Sequence, residues 1–187
     1  ELIKELKYSK IIKGVFIALI GTVLLAISSK IKIPFYPVPM TMQTLVVLFL
    51  GITLGWKLGL VTVALYLFEG IIGLPVFSGS PEKGVGIIYF TGPTMGYLIG
   101  FLFTVYFAGK FKFNGNLFKK TFQLIFSVSF IYIFGLLWLG LLIGWDKPIL
   151  QLGAYPFLLA ELFKMLILAY VAGFFCKVKN LYGKTKN

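Results

Sequence analysis

Six stretches of mostly apolar residues follow one another with only short breaks, at Ile11–Ser28, Met40–Trp56, Leu58–Val76, Gly84–Ala108, Thr121–Gly144 and Ala154–Cys176. Crossing about 30 Å of hydrocarbon takes roughly 20 such residues in a helix. A backbone without water must also satisfy its own hydrogen bonds, which leaves helices as the economical solution. The expected class is therefore an all-α membrane protein, with six transmembrane helices forming a single integral membrane domain over residues 1–187. Composition agrees: 59% of residues are hydrophobic and 13% charged, whereas soluble domains run near half and a quarter. The first stretch has no cleavage site and is followed by further spans, so it is not expected to be a removable signal.

All eighteen basic residues are lysine, against six acidic ones, for a net charge of +12. With no histidine and no arginine, imidazole acid/base chemistry and imidazole metal ligation are excluded. The lone Cys176 forms neither an internal disulfide nor a thiolate cluster. An enzyme is not expected, and neither a metal nor another cofactor is called for. The lysines lie scattered between apolar runs instead of on one basic face, which argues against nucleic acid. The fragment Gly51 to Lys57 (GITLGWK) has the wrong spacing for a phosphate loop, so the chain is not expected to hydrolyse ATP alone.

The lysines also give an orientation. Thirteen fall in the N-terminal segment, at Lys57, between the fourth and fifth spans and in the C-terminal tail; the alternate loops hold Lys30, Lys32, Lys83 and Lys147. The positive-inside rule places both termini in the cytoplasm. The outer loops then include two irregular ones. Pro34, Pro37 and Pro39 deny helix to the residues before them, which delays the second helix to near Thr41. Gly92-Pro93-Thr94 interrupts the fourth span, whose helix is expected to begin near Pro93 after a loop over residues 78–91. Non-helical backbone at membrane depth is tolerated where it is buried in protein or lines a cavity, so an outward-facing ligand cavity is expected.

Three ionisable residues fall inside spans: Glu69, Glu161 and Lys164. Each such charge costs about 2.5–3.5 kcal/mol at mid-bilayer on insertion scales and turns inward toward a partner or a cavity. Glu161 and Lys164, three apart, share a helix face. At 1.5 Å per residue, all three lie at comparable depths beneath the outer loops. The pair is readable as a structural ion pair or as polar contacts for a small solute. Glu69, beside Gly70 and Gly73, is also readable as part of a close helix contact. Phe35, Tyr36, Met40, Phe77, Tyr89, Phe90 and Tyr97 are candidates for apolar walls, or else for an ordinary interfacial belt. Gly79, Gly84 and Gly86 would let backbone approach a ligand. On the first helix, Gly14, Ala18, Thr22 and Ala26 form a stripe of small residues suited to close packing, within the chain or against a partner subunit.

With these residues in place, the chain resembles the BioY family, the substrate-binding membrane subunits of energy-coupling factor biotin transporters. The resemblance is carried by PVPMTMQT (Pro37–Thr44), LGLVTVALYLFEGIIGLPVFSG (Leu58–Gly79), TGPTMGYLIGF (Thr91–Phe101) and AELFK (Ala160–Lys164), in the family's order across residues 34–173. It implies a six-helix S-component that captures biotin from outside and topples within a module of one transmembrane coupling protein and two cytoplasmic ATPases. It further implies that Glu161 and Lys164 contact the ligand and that the stripe at Gly14, Ala18, Thr22 and Ala26 docks on the coupling protein. Tyr97, Phe77, Gly84, Gly86, Tyr36 and Met40 complete the expected binding set. Two departures stand out. Glutamate occupies a position where the family usually has aspartate, and the arginine some members use near the ligand has no counterpart. Lys83, or N–H groups of the loop SGSPEKGVG (Ser78–Gly86), is expected to meet the ligand's carboxylate. An S-component for thiamin or riboflavin, or a small dimeric carrier working without ATPases, are the competing expectations.

Overall fold

The computed structural model describes the backbone of residues 2–184 and the side chains of residues 11–173. In chain order the elements are α1 (Leu2–Lys30), a two-residue hairpin of β1 (Lys32–Ile33) and β2 (Met40–Thr41), α2 (Gln43–Ile71), a 3₁₀ helix (Gly86–Thr91), α3 (Met95–Lys110), α4 (Leu117–Ile143), α5 (Ile149–Gly153) and α6 (Tyr155–Lys184). The fold is mainly helical, as its apolar runs require. Among the described residues, four helical stretches are long and apolar enough to cross a membrane: Ile11–Lys30, Gln43–Ile71, Leu117–Ile143 and Tyr155–Gly173, with Met95–Lys110 a shorter apolar helix. The first two irregular segments fall where the prolines and glycines put them, before Gln43 and before Met95.

The second and third apolar runs join into one helical stretch, α2, broken at Gly55, where φ is 75° and ψ 171°. That conformation is essentially closed to residues with a Cβ. A Cβ built on Gly59 would lie 3.6 Å from the Gly51 Cα, although eight residues of straight helix span about 12 Å. The chain therefore doubles back at Gly55, and residues 43–54 pack beside residues 56–71. Gly109 meets the backbone of Trp56 at this turn, so α3 closes over it.

Small residues hold the remaining helices close. Gly100 of α3 approaches the Ile131 Cα of α4, and Gly96 approaches the Phe134 carbonyl. On α1 the stripe of small residues turns inward. Ala18 and Thr22 are buried, the Thr22 hydroxyl donates to the Leu19 carbonyl at 2.9 Å, Ala26 packs against the core, and Gly14 faces Leu58. In this structure the stripe lies on the side of α1 that meets α2, where Gly21 beside it comes closest, against Thr62. The opposite face of α1, with Val15, Phe16, Leu19, Ile20 and Val23, is exposed and apolar.

The loop between α2 and the 3₁₀ helix is pinned from two sides. Ser29 Oγ donates to the Val76 carbonyl at 2.8 Å, and Lys30 Nζ donates to the carbonyls of Phe77 and Ser80 at 2.9 and 2.8 Å. Phe77, 1% exposed, fills the space over Gly70 that a Cβ would occupy. Its ring meets Tyr66 edge-on, 5.3 Å between centroids. These ties set the loop against the bundle at the mouth of the cavity described next.

Candidate ligand-binding site

The first turns of α2 and the middle of α6 meet in a network of four groups. Glu161 Oε1 accepts from Lys164 Nζ at 2.8 Å and from Thr44 Oγ1 at 2.8 Å. Lys164 Nζ also donates to Thr44 Oγ1 at 3.1 Å and to the Thr41 carbonyl at 2.7 Å. That carbonyl is within reach because the prolines before it keep the chain extended through β2, which pairs with β1 in the register Lys32 to Thr41 and Ile33 to Met40. Both charged side chains are nearly dry, 8% exposed for Lys164 and 4% for Glu161. An ammonium has three hydrogens, and three acceptors take them.

In this structure Lys164 directs its three hydrogens to these protein acceptors. It neutralises Glu161 and ties α6 to β2. Glu161 keeps one oxygen in reserve: Oε2 is buried and has no hydrogen-bond partner. An unpaired carboxylate oxygen in a dry site carries a desolvation cost that a donor would relieve.

Glu161 lies in the wall of a cavity with about 530 Å³ of space not filled by atoms, open solvent at its mouth included. Its apolar walls come from Val38, Leu98, Phe101, Ile131 and Phe157; its polar lining from Thr41, Gln43, Thr44, Thr94 and Tyr132. Met40 and Tyr97 line it too. Tyr97 contributes its ring only, since its hydroxyl donates to the Gly153 carbonyl at 2.8 Å. A second cavity of about 330 Å³ shares Pro39, Ser78, Tyr89 and Thr94 with the first and adds Lys83. Ser78 Oγ, common to both, is buried without a partner. Burial raises the Tyr89 phenol above its ordinary pKa, with a hydrogen bond involving Thr94 opposing. It stays protonated near neutrality and donates to the Ser78 carbonyl.

Four expected binding residues sit elsewhere. Tyr36 is 88% exposed and lines neither cavity. Phe77 is a core residue behind the wall, packed on Tyr66, Tyr89 and Phe90. Gly84 and Gly86, with φ of 99° and 65°, shape the loop without facing either space. Phe90 is half-buried against the core and Phe35 packs edge-on against Phe157, behind the cavity wall. Glu69 is half-buried and does not join the Glu161 network. The polar lining residues Gln43, Thr44, Ser78, Thr94 and Tyr132 are the ones sequence reasoning passes over, because an uncharged polar residue in an apolar run is common. Their signal was positional: Gln43 and Thr44 end the proline-rich segment where helix begins.

Fold and site together define a polytopic membrane protein built around a small-solute cavity with a buried charge pair in its wall. The BioY family profile matches residues 4–181, and the chain belongs to that family. It is 31% identical to the probable biotin transporter BioY of Pyrococcus horikoshii over 152 residues, which cover 81% of this chain and 89% of that protein. It is 32% identical to the biotin transporter BioY of Thermotoga maritima over 154 residues, 82% of this chain and 89% of that one. Among solved structures it resembles the S-component for biotin from an ECF-type ABC transporter, with a TM-score of 0.75 and 26% identity over 92% of this chain and 93% of the other. As a member of this family, the chain is a multi-pass cell membrane protein.

Proposed function

We infer that the chain captures biotin for uptake across the cell membrane, as the S-component of an energy-coupling factor importer. The observation that carries this reading is that Glu161, a residue of the cavity wall, keeps a buried Oε2 with no partner. Biotin's bicyclic head offers two ureido N–H donors on an otherwise apolar ring system, and its tail ends in a carboxylate. A carboxylate oxygen answers the N–H groups, the rings of Tyr97 and Phe157 cover the bicycle, and Lys83 in the outer cavity meets the tail. Thr94 and Tyr132 supply hydroxyls for the ureido carbonyl. No catalytic constellation is invoked, since the family is one of transporter subunits and not enzymes.

Several features support the finer topology. The doubling back of α2 at Gly55 supports a count of six spans, and thirteen lysines on one side against four on the other favour cytoplasmic termini. The cavity then opens outward, beneath the proline and glycine loops. Partnership with a transmembrane coupling protein and two cytoplasmic ATPases is supported by the likeness to an ECF-type S-component and by the absence of a phosphate loop here. The test is equilibrium retention of labelled biotin by the purified chain, with thiamin and riboflavin as competitors. Displacement by biotin alone is expected, and displacement by either other vitamin at similar concentration would overturn the assignment.

A further inference from the structure

Gln43 lines the inner cavity and is 4% exposed. Its Nε2 lies 2.6 Å from the Tyr66 hydroxyl, which lies 2.9 Å from the Val76 carbonyl oxygen. A carbonyl oxygen only accepts, so the single phenolic hydrogen goes to Val76. The phenol oxygen is then an acceptor toward Gln43, which must present its NH₂ group. Turned the other way, the amide oxygen would have to take the phenolic hydrogen, and Tyr66 would lose its bond to Val76. The Gln43 carbonyl Oε1 is thereby left on the side of Thr41, another cavity residue, whose hydroxyl reaches it only at a long 3.4 Å.

We propose that Tyr66 is a positioning residue that fixes Gln43 as a hydrogen-bond acceptor toward the cavity, so that Gln43 Oε1 and Glu161 Oε2 together select ligands carrying two N–H donors. Tyr66 is fully buried and does not itself line the cavity. It acts through Gln43, and its other tie, to Val76, anchors it to the loop that carries Ser78 and Lys83. Cyclic ureas have the required donors; a ligand offering only acceptors finds no donor at Gln43 Oε1 or Glu161 Oε2. This deepens the biotin reading and rests on it.

The test is a double-mutant cycle of Tyr66→Phe and Gln43→Leu read by the dissociation constant for labelled biotin. Tyr66→Phe keeps the ring against Phe77 and removes only the hydroxyl. Each single change is expected to weaken binding about five- to tenfold, the worth of one hydrogen bond. The double variant should bind no more weakly than Gln43→Leu alone. A purely structural role for Tyr66 would weaken binding again in the Gln43→Leu background, and that result overturns the proposal. Gln43→Glu decides the case if Tyr66→Phe does not fold. It keeps an acceptor facing the cavity and should bind biotin at least as tightly as Gln43→Leu, whereas weaker binding refutes the acceptor role. Failure of the unaltered chain to bind biotin would instead defeat the reading of the cavity, and the selection proposed here with it.

Discussion

Replacing Glu161 by glutamine changes the charge of the site with almost no change in shape, and its consequence follows from how the two carboxylate oxygens are used. Oε1 is committed to Lys164 and Thr44, both at 2.8 Å, and a glutamine carbonyl in its place would go on accepting from them. That leaves the new NH₂ where the unpaired Oε2 stood. The cavity wall then offers a donor where it had offered an anionic acceptor. A hydrogen bond to a charged group contributes about 1.5–3 kcal/mol, and its loss weakens affinity roughly 10- to 150-fold at about 1.4 kcal/mol per tenfold. The assay is titration of labelled biotin into purified protein, with the thermal midpoint of each variant measured beside it. Affinity within twofold of the unaltered chain, in a folded Glu161→Gln protein, would refute the argument that Oε2 holds the ligand.

Lys164→Met leaves the Glu161 carboxylate buried with Thr44 as its one remaining donor. Breaking a buried pair from one side costs about 3–5 kcal/mol, while replacing both charges is often neutral. The single variant should lose thermal stability, and Lys164→Met with Glu161→Gln should recover most of it; equal midpoints for the single variant and the parent would contradict this. Gly70→Val places a side chain where the Phe77 ring sits and should displace the loop, seen as faster hydrogen exchange across residues 74–84 and weaker biotin retention. Lys83→Ala should weaken biotin severalfold and leave binding of biotin amide unchanged, a comparison made by competition; an equal loss for both ligands would remove Lys83 from the tail.

Helix content and the charge pair were legible because they rest on short-range rules. Run length implies spans, and three-residue spacing puts Glu161 and Lys164 on one face. What could not be read depends on contacts across the chain. Gly55 lies in a fragment whose spacing fails that of a phosphate loop, and only the packed structure shows its positive φ turning α2 back on itself. Spacing cannot show that all three hydrogens of Lys164 are spent, since two acceptors belong to Thr41 and Thr44, more than a hundred residues away. Which aromatic residues line the cavity depends on the same kind of contact. Phe77 and Tyr36 look alike in sequence, yet Gly70 draws one into the core while the other stays on the surface. Gln43 gained its importance from Tyr66 and Val76, partners that periodicity does not pair with it.

The most direct test is a distance between one atom of the protein and one of the vitamin. Biotin labelled with ¹⁵N in its ureido ring, bound to protein carrying ¹³C in the glutamate side-chain carboxyls, gives a dipolar coupling in the solid state. A coupling that reports a separation within about 4 Å, the reach of one hydrogen bond, and that disappears in Glu161→Gln is the predicted result. Saturated binding with no such coupling would contradict the account.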